Sequence, residues 1–205
     1  MKKKILLTCF DPFGGEAKNA TEEVCKKLSI EDDRIELYRQ GLPTVFGKSV
    51  DLLCRTMDAL QPDAVILLGQ AGGRKGITPE RVAINIADAS IEDNAGNRPI
   101  DEPNVIGGPA AYFSTLPIKA IVAALNEKGI MASVSNTAGT FVCNHLMYSA
   151  LHHLALTGST AKAGFIHLPY LPEQAALHGD APSMDLQTLI EALRCILSVV
   201  ADHLG

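Results

Sequence analysis

A chain of 205 residues, 47% apolar and 20% charged, has the balance of an ordinary globular protein long enough to bury a sizeable core. A formal net charge of −5, with no dense Lys/Arg cluster after Lys2, Lys3 and Lys4, argues against nucleic acid as a partner. No run reaches the roughly 18 apolar residues of a membrane span, and ILL after the opening lysines is too short for an export signal, so the expectation is a cytoplasmic protein without membrane contact.

Strand and helix signals alternate along the chain. KILLTC (4–9) reads as a strand, and NATEEVCKKLS (19–29) as a helix with Asn19 as its N-cap. RIELYRQGL (34–42) is a strand, and VFGKSVDLLCRTMDAL (45–60) a helix with Val50, Leu53, Cys54, Met57 and Leu60 on its apolar face. DAVILLG (63–69) is continuous enough to be a strand covered on both faces, and RVAINIADA (81–89) alternates as another strand. LPIKAIVAALNEKG (116–129) is a helix stopped by Gly129, and IMASVSN (130–136) a strand. CNHLMYSALHHLAL (143–156) is a helix, AKAGFIHL (161–168) a strand and DLQTLIEALRCILSVVADHL (185–204) a closing helix. The pattern predicts one domain over 1–205, an α/β fold with a mostly parallel central sheet and helices on both faces. Two long loops, 69–80 and 90–115, are candidates for function. In such folds ligands bind at the carboxyl ends of the strands, which draws attention to the segments after Cys9, Leu68 and Asn136 and around His167.

The five cysteines, Cys9, Cys25, Cys54, Cys143 and Cys195, form no CxxC pair and no zinc spacing. Four sit among aliphatic residues and read as buried free thiols. Cys143 opens a helix after a Gly-Thr turn, where unpaired N–H groups favour a thiolate and can hold an oxyanion. A core filler is the competing reading. A thiol nucleophile needs a base. His145 lies about 200° around the helix from Cys143 and faces away. His167 ends an apolar strand at the ligand edge, although a core histidine satisfied by backbone is also consistent with FIHLP. Glu80 heads a strand after a long loop. Alone it reads as a solvated charge, and it gains meaning only as the group that orients His167.

TCFDPFGG (8–15), GQAGGR (69–74), TPERVAINIADA (78–89), GGPAAYFSTLPIK (107–119), SNTAGTFVCNHLMY (135–148) and FIHLPYLPEQ (165–174) together resemble segments of the pyroglutamyl-peptidase I family of cysteine peptidases, in the same order. The resemblance implies a three-layer α/β/α sandwich and a Glu80–Cys143–His167 triad. It also implies removal of an N-terminal pyroglutamate from peptides and proteins through a thioester, with no metal or cofactor, by a homotetramer. Phe10 and Phe13 resemble the family's aromatic walls around the lactam ring, although one of them packing simply as core is the bland alternative. Gln70 resembles the residue at the lactam's polar edge, able to pair with the ring N–H or C=O. Phe141 and Val142 are placed to add backbone hydrogen bonds and apolar wall. Two positions depart from the family's pattern: Cys9 stands where many members have Gly, and Ser90 where many have Arg. Two rivals stay in view. One is a nucleotide-binding enzyme using GQAGGRKG, which lacks the GxGxxG and Walker spacings. The other is a catalytically idle pyroglutamyl-binding protein on the same fold.

Overall fold

The computed structural model describes residues 2–205. Its main sheet contains β1 (Lys3–Phe10), β2 (Ile35–Leu42), β3 (Ala64–Gln70), β4 (Thr78–Pro79) and β7 (Lys162–Leu168), in the order β2-β1-β3-β7-β4. Every pairing is parallel except β4 with β7. A two-stranded antiparallel ribbon, β5 (Val82–Ile84) with β6 (Ala111–Phe113), stands apart. The helices are α1 (Ala20–Lys27), α2 (Lys48–Leu60), α3 (Ile118–Glu127), α4 (Val142–Thr157), the single turn α5 (Pro172–Ala175) and α6 (Leu186–Asp202). None is long and apolar enough to cross a membrane.

Side-chain alternation along the strands separates two apolar layers. Ile5, Leu7, Ile66, Leu68, Ile166 and Leu168 pack against α1, α3 and α6. Leu6, Val65, Leu67 and Phe165 pack on the other face, against α2 and α4. All seven residues of β3 are buried, as its unbroken apolar run requires. The result is the predicted three-layer α/β/α arrangement. The winding reverses between β1 and β3, since β2 lies on one side of β1 and β3 on the other. Phe10 and Gln70 end these two strands, at the crevice such a reversal opens.

The helices begin as their sequences require. Asn19 caps α1 by accepting from the Thr21 N–H at 3.0 Å, and Asp185 caps α6 by accepting from the Thr188 N–H at 2.9 Å. Acidic Glu22 and Glu23 sit in the first turn of α1 and basic Lys26 and Lys27 in the last, matching the helix dipole.

Two predicted strands take other forms. In 81–89 only Val82–Ile84 is strand, and it joins the ribbon instead of the main sheet. Amide side chains take over the backbone beyond it: Asn144 accepts from the Ile84 N–H and donates to the carbonyls of Ile84 and Ile86. The segment 130–136 runs parallel to 77–81 through isolated bridges, with Ser133 N–H donating to Ile77 O and Ser135 N–H to Pro79 O. Pro79 has no N–H to return, so the ladder is broken there.

Candidate active site

His167 lies on β7 between Gly69 of β3 and Thr78 of β4, which are its register partners. Two residues on from Phe165, it shares that side chain's face of the sheet, the α4 side. Glu80 follows β4 directly and is pinned by its N–H to Phe165 O at 2.8 Å. Its side chain is wholly buried, and Oε1 lies 2.7 Å from His167 Nδ1. With Nδ1–H donating to the carboxylate, Nε2 carries the lone pair that a base needs.

Cys143 is the second residue of α4 and is half-buried. Phe141, at the N-cap, is extended and offers no side-chain cap. The first N–H groups of the helix therefore remain unpaired beside the thiol. The Cys143 side chain packs on the same face of the sheet as Phe165. A Cβ on Gly69 would stand 3.1 Å from Cys143 Sγ and 2.5 Å from the Phe165 ring. The missing side chain at Gly69 is what admits the sulfur, next to the strand position of His167. Glu80, Cys143 and His167, far apart in sequence, thus converge at one end of the sheet.

Electrostatics define the resting state. Burial, reinforced by Glu80, pushes the Cys143 thiol up to about 12, against the pull of Arg74. Burial also draws the His167 imidazole below its ordinary value, although Glu80 works in the opposite direction. Burial alone would raise Glu80, but His167, Ser135 and Arg74 together outweigh it and hold the carboxyl below its usual range. These directions favour a thiol, a neutral imidazole and a carboxylate at rest. Burial thus opposes the thiolate that the helix start favours.

The pocket candidates divide by burial. Phe10 is 3% exposed and belongs to the core, its ring 6.4 Å from that of Phe165, which in turn lies 4.8 Å from His167. Phe13 is partly exposed, and its ring lies 6.2 Å from Phe141. Phe46, which sequence reasoning missed, meets Phe141 edge-on at 5.4 Å. Val142 is fully buried, so toward the site it offers backbone alone. Gln70 Oε1 accepts from the Ala20 N–H at 2.8 Å, which caps α1 and leaves the amide NH2 as the group free to serve a ligand. Asn94 ties the loop 90–115 to this pocket by donating to Asp11 and Pro12, and Asp93 accepts from the Phe46 N–H. Asp88 and Thr140 are joined by two hydrogen bonds, which brings the exposed Ser90 near the turn before Cys143.

His145 is occupied elsewhere. Nε2 accepts from the Gly47 N–H at 3.1 Å, Nδ1 meets Asn104 Oδ1 at 2.8 Å, and burial holds the ring neutral by drawing it down to about 4. Two glycines of GQAGGR, Gly69 and Gly72, are explained by packing, and Gly73 by its left-handed backbone, φ 83°. A Cβ on Gly72 would stand 2.2 Å from the Tyr170 ring, just as one on Gly69 would strike Phe165. That use leaves the nucleotide-loop reading without support. Arg74, also missed, donates to Glu80 Oε1 at 2.6 Å; the one sequence signal for it was a cation six residues ahead of the acid.

A cysteine beside a carboxylate-held imidazole, at the carboxyl edge of a doubly wound α/β sheet, defines a cysteine-type hydrolase. The sequence pattern of the family described as pyroglutamyl peptidase matches residues 3–203. Pyrrolidone-carboxylate peptidases of an Enterobacter species and of Erwinia tasmaniensis are 57% and 55% identical, each alignment covering 96% of this chain and 92% of the relative. The crystal structure of pyroglutamyl peptidase I from Bacillus amyloliquefaciens superposes with a TM-score of 0.95 at 47% identity, covering 100% of this chain and 98% of that one. A mutant pyrrolidone carboxyl peptidase from Pyrococcus furiosus superposes with a TM-score of 0.95 at 43% identity, covering 98% and 100%. The chain belongs to the pyroglutamyl peptidase family.

Proposed function

We infer that the chain is a cysteine exopeptidase that hydrolyses the amide bond after an N-terminal pyroglutamyl residue, working as one catalytic domain. The observation that carries the residue assignment is the 2.7 Å contact of His167 Nδ1 with the buried Glu80, on the sheet face where Cys143 Sγ packs over Gly69.

In the proposed reaction the Sγ–H proton passes to His167 Nε2 as sulfur attacks the pyroglutamyl carbonyl. Burial raises the thiol above its ordinary value, so the imidazole must take the proton for the sulfur to attack. The carbonyl oxygen becomes an oxyanion and turns to the unpaired N–H groups at the start of α4. Glu80 supports the imidazolium as it forms. The imidazolium returns its proton to the leaving amine, the C–N bond breaks, and a thioester remains. Water then loses a proton to Nε2 and attacks the thioester. The C–S bond breaks, and sulfur recovers the proton.

The lactam lies against Phe13 and Phe141, with Phe10 behind it as core and Phe46 bracing Phe141. The Gln70 NH2 donates to the lactam carbonyl, since its oxygen already serves α1. An uncyclised terminus would carry an ammonium into this apolar pocket without a partner, which costs several kcal/mol. A homotetramer in the cytoplasm is part of the same proposal, and light scattering of the purified protein tests the assembly. The idle-binder alternative has no observation in its favour. The deciding experiment is turnover of a pyroglutamyl fluorogenic amide against prolyl and alanyl amides. Release from the first alone supports the reading, and release from none overturns it.

A further inference from the structure

Arg74 stands outside the trio that handles the substrate, yet its guanidinium reaches the same carboxylate oxygen as the imidazole. Nη1 donates to Glu80 Oε1 at 2.6 Å, and His167 Nδ1 meets that oxygen at 2.7 Å. Nη1 also bonds Thr78 Oγ1, and Nη2 donates to Thr137 O at 3.3 Å. The guanidinium thus fastens the segment that bears Glu80 to the segment that leads to Cys143. Its side chain is 27% exposed, whereas that of Glu80 is fully buried. Oε2 has no hydrogen-bond partner, so the pairing falls on Oε1.

A buried carboxylate beside an imidazole can relieve its charge in two ways. It can take up a proton, or it can hold one on the imidazole as an ion pair. In both cases the pair carries an extra proton. An ion pair removes the base outright, and a neutral acid removes the charge that supports the imidazolium. A fixed cation against Oε1 opposes both, because it stabilises the bare carboxylate and repels a proton on the ring. Ser135 also favours the carboxylate, but it is uncharged and does not repel a proton on the ring, and among the described residues no other cation faces the pair. Arg81 turns to Asn136 Oδ1 at 2.8 Å, and Cys143, facing from α4, is an uncharged thiol.

We propose that Arg74 is a positioning residue that keeps the Glu80–His167 pair free of an excess proton, so that the imidazole rests as a base at and just below neutral pH. The proposal rests on the triad reading above. Its test is the pH profile of kcat/KM on a pyroglutamyl amide for wild type, Arg74→Gln and Arg74→Lys. Glutamine keeps a donor for Thr78 or Thr137 but loses the charge. The acidic limb of Arg74→Gln should move up by about one pH unit, so activity on the acidic side falls about tenfold more than activity on the alkaline plateau. Arg74→Lys should keep the limb near its wild-type position even where kcat falls. In a Glu80→Gln background, Arg74→Gln should move the limb less, since only the direct repulsion of a ring proton remains to be lost. A loss that is uniform across pH, or a lysine variant whose limb moves as far as that of glutamine, overturns the proposal and leaves Arg74 a brace. Arg74→Met repeats the comparison if the glutamine variant does not fold. Failure of the triad reading would look different: activity would survive in Cys143→Ala with Arg74 intact.

Discussion

Gly69 and His167 are register partners across β3 and β7, and the Cys143 sulfur lies over the space that Gly69 leaves empty. The glycine is not in the left-handed region, so its role is room. Gly69→Ala should force the Phe165 ring or the thiol to shift. We expect a loss of about 1–3 kcal/mol in stability and on the order of 100-fold in kcat/KM. Gly41→Ala, where an added Cβ meets nothing within 4 Å, is the control and should cost little of either. Thermal melts and steady-state kinetics on both variants check this. Normal activity in Gly69→Ala would remove the spatial argument.

Cys143→Ala and His167→Ala should each abolish activity to a similar extent, because they act as one unit. Glu80→Gln should be milder, keeping shape and a hydrogen bond while losing the charge behind the imidazolium. Iodoacetamide alkylation of Cys143, followed by mass spectrometry, should slow in His167→Ala, since burial raises the thiol and the proposed base that would take its proton is gone. An unchanged alkylation rate would dismiss His167 as the base.

Acid should destabilise the fold through its buried histidines. His167 lies below its ordinary value in the folded protein, and His145 is drawn down to about 4. The unfolded chain then binds more protons than the native state, so stability is full above about pH 6.5 and is lost as pH falls through the folded values. The melting midpoint should drop between about pH 6.5 and 4, and His145→Gln should flatten part of that drop. A midpoint that is level across this window in wild type would contradict the buried, neutral state of both rings.

Phe13→Ala should raise KM for pyroglutamyl amides about 10- to 150-fold, the equivalent of roughly 1.5–3 kcal/mol of lost burial, while Cys143 alkylation stays near normal. Gln70→Leu removes two things at once. It should cost about 1 kcal/mol of stability through the lost cap on Ala20, and it should narrow the preference for pyroglutamyl over cyclopentane-carbonyl amides. If the preference is unchanged, the lactam edge is read elsewhere, most plainly by backbone near Phe141.

The layers and the position of Cys143 were legible because they follow from periodicity and helix starts, which are local. The strands at 4–9, 63–69 and 161–168 and the helix from Cys143 needed no tertiary knowledge. The segment 81–89 misled because its alternation is real, but Asn144 and Asn104 satisfy its backbone in place of a neighbouring strand. Nothing local to 130–136 says that Pro79 will stand opposite it and break its ladder. Arg74 and Phe46 were invisible for the same reason. Their roles depend on what lies across the crevice, and that is decided by the order of strands and not by neighbouring residues. Glu80 drew its meaning from family resemblance, since burial turns an ordinary-looking carboxylate into a partner for His167.

A thiol kept near 12 has a further consequence. At neutral pH burial then favours the neutral thiol over the anion that peroxides attack. On the mechanism proposed above, Cys143 gives up its proton to the adjacent imidazole only as it attacks, and between turnovers it stays the less reactive thiol. Oxidative wear should therefore track catalytic use more than time spent idle, and a protein at rest should outlast one working in the same peroxide.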